Sequence, residues 1–268
     1  MSAPVFLAET GLDAVAPGDR YVLDGAEGRH AGVVQRKGRG ERVDVVDGLG
    51  LRLRCVVESA DGGAVTLLVQ EVDREPEPDV VVTLVQALAK GDRDELAIEA
   101  ATEVGADAVV PWQAERSVVV WRGERAAKSR ARWLATVRTA TKQARRARLP
   151  EVGLPLDSRG LAERTAEVVA GGGCVVVLHE EATTPLAEVA LPAPGAGPDG
   201  RTGAGVAPRV LVVVGPEGGI SERELDALTA AGAVAARLGP HVLRTSTAGP
   251  VAIALLAQRL GRWATQDG

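Results

Sequence analysis

The sequence predicts a two-part protein: a small antiparallel β-barrel over residues 1–73, then a larger α/β domain with a mostly parallel sheet over 80–268. Three observations carry this expectation. Residues 20–73 are short apolar segments with period-2 alternation, broken by Asp-Gly and Arg-Gly turns. After "REPEPD" (74–79), with two prolines and four charges, the grammar changes to alternating strands and helices. In that second part, buried-looking strands run into polar, glycine-bearing loops just before helix starts.

In the first domain the expected strands are "RYVLDG", "HAGVVQR", "ERVDVVDG", "LRLRCVVES" and "AVTLLVQEVD". Residues 74–79 read as the linker. Beyond it, "VVVTLVQAL" is a buried strand. "DRDELAIEAATEVG" is a helix with Asp92 and Glu95 spaced as a capping box and Gly105 as its stop. "ADAVVPW" is a strand, and a long basic helix is expected over 124–148. "GCVVVLHEE" and "RVLVVVG" are strands, and "SERELDALTAAG" is a helix with a second capping box, Ser221 and Glu224. "AVAARLG" closes the strand set before the apolar helix "STAGPVAIALLAQRLGRWA". Half of residues 191–208 are Gly or Pro, so that insert reads as a flexible surface loop.

The composition is globular, 46% hydrophobic and 25% charged, over 268 residues. The first basic residue is Arg20, so no secretory leader is expected, and no apolar run approaches the roughly 18 residues of a membrane helix. Cys55 and Cys174 are far apart and the three histidines are scattered, so neither a disulfide framework nor a metal site is expected. A soluble cytoplasmic protein is the expectation. Net charge is −5, yet residues 116–148 hold eleven Lys/Arg against one acid, Glu124. Such asymmetry suits a surface facing a polyanion; the plain alternative is a solvated helix face. With only six aromatic residues, single-strand binding by stacking alone is disfavoured.

"LVVVGPEGGISERELDAL" (211–228) concentrates the chemistry. Glycines at the carboxyl end of a strand let backbone approach a ligand closely. The spacing matches neither the dinucleotide fingerprint nor the P-loop, no Lys or Arg lies in the turn, and Glu217 would repel phosphate. A neutral or cationic ligand held by main-chain groups fits better; a tight strand-to-helix turn is the alternative. "LHEE" (178–181) and "LGPHVLRTSTAG" (238–249) are two further strand-end loops able to converge with it.

"VVVGPEGGISERE" with "LGPHVLRTSTAG" resembles the cofactor end of the SPOUT methyltransferases, and more narrowly the RsmE family, which methylates N3 of a uridine in 16S ribosomal RNA. "QALAKGDRDELAIEAATEVGADAVVPWQAERSVV", "TATKQARRARLPEV" and "GRHAGVVQRKGRGERVDVVDGLG" resemble that family's further segments, so the likeness covers nearly the whole chain. The resemblance implies a PUA-like N-terminal barrel, a trefoil-knotted C-terminal domain, S-adenosyl-L-methionine as cofactor and a homodimer. It implies a cofactor pocket of Leu178, His179, Val214, Gly215, Pro216, Gly218, Gly219, Leu238, Gly239, Leu243, Thr245 and Thr247. Ser246 stands where the family often has an acid, and Lys142 where Glu is common.

Catalysis would need a cation stabilising charge on the uracil oxygens, a role expected of Arg244, with Glu217 and His179 as candidate bases. Arg36, Lys90, Arg116, Lys142, Arg145 and Arg146 are the expected RNA contacts. A non-catalytic RNA-binding or ribosome-assembly module that keeps the fold, and a nucleotide-using α/β enzyme, are the competing classes.

Overall fold

The computed structural model describes residues 3–193 and 207–264. The chain divides into two compact units, Met1–Glu77 with Arg138–Leu149, and Pro78–Val137 with Pro150–Gly268.

The first unit holds β1 (Val5–Leu7), β2 (Arg20–Leu23), a short helix α1 (Gly25–Arg29) continuing as a π-turn over His30–Val34, β3 (Arg42–Val46), β4 (Leu51–Asp61) and β5 (Ala64–Arg74). The sheet order is β1-β3-β4-β5-β2, antiparallel except that β1 runs parallel to β3. Alternate residues of β4 and β5, among them Leu53, Cys55, Val65 and Leu67, meet Phe6 and Val45 in one core. "HAGVVQR" is helical where a strand was expected. Its adjacent Val33 and Val34 are both exposed and only Ala31 reaches the core, so the run has no inward face for a strand to bury.

The sequence reading places 138–149 in the larger domain, whereas in the structure this segment clusters with the first unit. The Arg52 guanidinium explains the attachment. It donates to Asp44 at 2.9 Å, to Glu75 at 3.1 Å and to the Arg145 carbonyl at 2.8 Å. Lys142 pairs with buried Glu27 at 2.8 Å, and Arg148 donates to the Glu75 and Pro76 carbonyls.

The second unit runs β6 (Val81–Ala87), α2 (Arg93–Glu103), β7 (Ala108–Gln113), the start of α3 (Glu124–Gln143), β8 (Glu151–Val152), β9 (Leu156–Asp157), α4 (Ser158–Ala170), β10 (Cys174–Leu178), β11 (Arg209–Val214), α5 (Glu222–Ala230), β12 (Val234–Ala236) and α6 (Thr245–Arg259). The sheet order is β12-β10-β11-β6-β7-β8, with β9 also on β7, and every pairing is parallel. Its central strands are buried on both faces, which explains their unbroken valine-rich runs. One core face joins Val85, Trp112, Val177 and Val213 to Leu161 of α4 and Leu228 of α5. On the other, α6 packs on α2, β6 and β11.

Helix α3 ends at Gln143, five residues short of the expected Arg148. Arg145 sits at φ 56°, a left-handed conformation no α-helix continues through. Helix α4 went unread in the sequence, although Asp157 caps it by accepting from the Gly160 amide at 2.7 Å. Most of the expected flexible loop, 194–206, lies outside the described residues. Among the described residues no helix is long and apolar enough to cross a membrane.

Candidate active site

Strand β11 delivers five buried residues in succession and stops at Gly215. A Cβ at Gly215 would stand 2.6 Å from Ile220 Cγ1, so the turn closes only on glycine. Gly219 takes φ +75°, and its amide donates to the Pro216 carbonyl at 2.9 Å. The chain then enters α5 through a complete capping box between Ser221 and Glu224.

Glu224 does more than cap. Only 2% exposed, it accepts from the Glu115 amide at 2.8 Å and from Ser158 Oγ at 2.5 Å. Glu115 in turn accepts from Ser221 Oγ at 2.8 Å and pairs with Arg223, whose guanidinium holds the Glu115 carboxyl below its ordinary range. One buried carboxylate therefore ties the segment after β7 and the start of α4 to the helix that follows the glycine turn.

The loop after β12 is stapled on its other side. Thr245 Oγ1 donates to the Gly215 carbonyl at 2.8 Å and accepts from Gln86 Nε2, also at 2.8 Å. Gln86 is fully buried at the end of β6. The loop after β10 is held to β12 by the His179 amide, which donates to the Ala236 carbonyl at 3.0 Å.

These three strand-end loops line one cleft of about 760 Å³ beyond the carboxyl ends of β10, β11 and β12. Leu178 and His179 contribute from the first loop, Val214, Gly215, Pro216, Gly218 and Gly219 from the second. Leu238, Gly239, Leu243 and Thr245 contribute from the third. Thr247 does not reach the cleft. It is exposed in the first turn of α6, its amide donating to the Arg244 carbonyl at 2.8 Å.

The sequence pointed to a cleft free of phosphate-gripping cations, and in the structure four arginines line it: Arg93, Arg116, Arg237 and Arg244. Two are committed. Arg93 pairs with Glu217 at 2.7 Å, and Arg116 Nη1 donates to the Gly218 carbonyl at 3.1 Å. Glu180, Glu181, Glu217 and Glu222 offset them, so formal charge around the cleft balances. Arg244 is exposed, N-caps α6 without a side-chain cap bond, and has no ion pair among the described residues.

Glu217 is not placed as a base. It accepts from Arg93 and from the Lys90 amide at 3.2 Å. Partial burial pushes its pKa up, but its own backbone amide and Arg93 prevail, leaving it below the ordinary glutamate range. A carboxylate stabilised as the anion is a poor proton acceptor. His179 Nδ1 accepts from the Glu181 amide at 3.3 Å. That contact engages the ring within its own loop.

The expected RNA contacts differ in exposure and in partners. Arg36, Lys90, Arg116 and Arg145 are exposed, and Arg146 is half-buried. Lys142 is spent on Glu27, so it is not available to a phosphate. Arg93, Gln86, Glu115 and Ser158 were not singled out. Their partners lie 66 to 159 residues away, and no local pattern announces such pairs.

A family model described as an RNA methyltransferase domain matches residues 75–257. The ribosomal RNA small subunit methyltransferase E of Mycobacterium bovis is 46% identical over 263 residues, covering 98% of this chain and 94% of that protein. The Bacillus subtilis protein of the same name is 31% identical, covering 85% and 86%. Among solved structures, the methyltransferase E of Neisseria gonorrhoeae, bound to S-adenosyl methionine, aligns with a TM-score of 0.80 at 25% identity, covering 96% and 98%. A putative methyltransferase from Legionella pneumophila, in complex with the same cofactor, gives 0.76 at 24% identity, covering 97% and 98%, and supports the fold alone.

Proposed function

The chain belongs to the RsmE family of SPOUT RNA methyltransferases, and from that premise we propose that it methylates N3 of one uridine in 16S ribosomal RNA, using S-adenosyl-L-methionine. The observation that carries the reading is the cleft of three strand-end loops, with the unpaired Arg244 on its lining. Its volume lies within the ~300–1,000 Å³ range of small-molecule sites. The open backbone at Gly239, where a Cβ would meet nothing within 4 Å, fits a ligand read by main-chain groups.

Bound there, the cofactor supplies an electrophilic methyl group. The residues of the chain do the rest. The glycine turn, braced by Thr245, would hold the cofactor in place, which would reduce the entropic part of the barrier. Arg244 stabilises the charge that develops on the uracil oxygens as the imino proton departs. Glu217 is committed to Arg93, so it is not proposed as the group that takes this proton.

The family reading extends to a trefoil knot formed by the cleft's loops, a PUA-like role for the first unit, and a homodimer. Leu96 of α2 with Val251 and Leu255 of α6, all exposed on two helices that pack together, suit a dimer face. Arg36, Lys90, Arg116, Arg145 and Arg146 are the proposed phosphate contacts.

Primer extension on 16S ribosomal RNA from cells with and without the gene tests the reading. An N3 methyl blocks base pairing, so one polymerase stop at a uridine should vanish on deletion. A stop that persists assigns the modification elsewhere. No calorimetric heat with S-adenosylmethionine, while RNA still binds, would favour a non-catalytic module.

A further inference from the structure

A second cavity, about 430 Å³, is lined by Ala89 and Gly91 of the loop after β6, by Trp121, and by Arg125, Lys128 and Arg132 of α3. The three cations stand at i, i+3 and i+7, one face of the helix. Arg125 and Lys128 have no ion pair among the described residues, and Arg132 only approaches Glu95 at 3.5 Å. Asp94 and Ser129, both buried, also line it.

The wall is built rather than incidental. Trp121 stands edge-to-face on the buried Trp133, centroids 5.3 Å apart. Its amide donates to Gln113 Oε1 at 3.2 Å, and Gln113 Nε2 donates to the Val119 carbonyl at 3.0 Å, so the loop carrying the ring is pinned. Trp133 hydrogen-bonds the Asp94 carboxyl, and burial pushes that group up to about 6.

This combination selects its ligand. A free phosphate would meet the rim cations but be repelled by a carboxylate inside. A neutral aromatic would leave the cations unused. A nucleotide satisfies both, with its base against Trp121, an amino or imino N–H toward Asp94, and its phosphate on Arg125 and Lys128. The loop that lines this cavity also borders the cofactor cleft, since Lys90 and Arg93 hold Glu217 of the glycine turn.

We infer that this cavity receives a nucleotide of the substrate RNA flanking the target uridine, base inward and phosphate at the rim. The inference rests on the methyltransferase reading, so wild-type binding of S-adenosylmethionine is measured first, by calorimetry. A wild type that binds none overturns both.

With that binding present, the full-length chain is assayed on small-subunit ribosomal RNA as wild type, Trp121→Ala, Trp121→Phe and the pair Arg125→Gln with Lys128→Gln. Trp121→Ala should raise KM for RNA roughly tenfold, and Trp121→Phe should recover most of it. The charge pair should raise KM and flatten the salt dependence of RNA binding by about one unit of slope. Cofactor affinity and kcat at saturating RNA should hold within about twofold. An unchanged KM in Trp121→Ala, or a matching loss of cofactor affinity in both sets, overturns the subsite. The charge pair decides the matter if Trp121→Ala does not fold.

Discussion

Helices α5 and α2 begin with the same spacing, an oxygen-bearing side chain followed three residues later by glutamate, and they part company in space. At α5, Ser221 and Glu224 close the box, and Glu224 also collects the Glu115 amide and Ser158 Oγ. At α2, Asp92 makes no side-chain cap bond; the Glu95 amide turns to Asp94, and Glu95 leans toward Arg132. Ser221 and Glu224 are both buried, whereas Asp92 is exposed and Glu95 half-buried. A cap becomes a fixed structural joint when burial makes every alternative partner costly. The first start follows the glycine turn of the larger cleft, while the second follows the loop that lines the smaller cavity.

A third start, α6, opens on Arg244, which is exposed and has no ion pair among the described residues, so its guanidinium is free for chemistry. The largest effect should be there. Arg244→Ala is expected to lower kcat on the order of 10²-fold while leaving cofactor affinity within about twofold. Equal losses in both would make Arg244 another joint, like Glu224.

Next comes Glu224→Ala, which strands three donors and should cost about 3 kcal/mol in urea unfolding. A loss near zero would erase the contrast with α2.

The two carboxylates flanking the β6 loop should respond to pH in opposite senses. Asp94 is raised from 3.8 to about 6, so the folded chain keeps its proton longer than the unfolded one. Stability then falls as pH rises through that window, and the deficit persists above it. Asp94→Asn cannot ionise and should raise Tm by a few degrees at pH 7.5 with no gain at pH 3.5. Glu217 is lowered, so its tie to Arg93 is present above the ordinary glutamate range and lost only as pH falls through the depressed value. Wild-type cofactor affinity should therefore stay level from pH 8 to about 5. A decline that begins already near the ordinary glutamate value would show Glu217 titrating without Arg93's support.

The smallest effect belongs to Asp92→Ala, expected within about 0.5 kcal/mol of wild type because no cap bond is lost. A cost above about 1 kcal/mol would reveal a working box at α2 in solution.

Local pattern determined a good deal of this protein. Valine runs marked β6, β10 and β11 because strands buried on both faces need apolar residues throughout. The glycines of 215–219 marked a close turn at a strand end, where open α/β sheets place ligands. Motif order pointed to the family. What needed the tertiary structure were pairings across long separations: Gln86 with Thr245, Arg93 with Glu217, Glu224 with Ser158, and Arg52 with the Arg145 carbonyl. The structure pairs Glu217 with Arg93 and Lys142 with Glu27, and clusters 138–149 with the first unit. Period and turn chemistry act between near neighbours, so they can be read along the chain. A hydrogen bond between side chains more than sixty residues apart depends on where the sheet delivers each one, and that is settled only once the strands have paired.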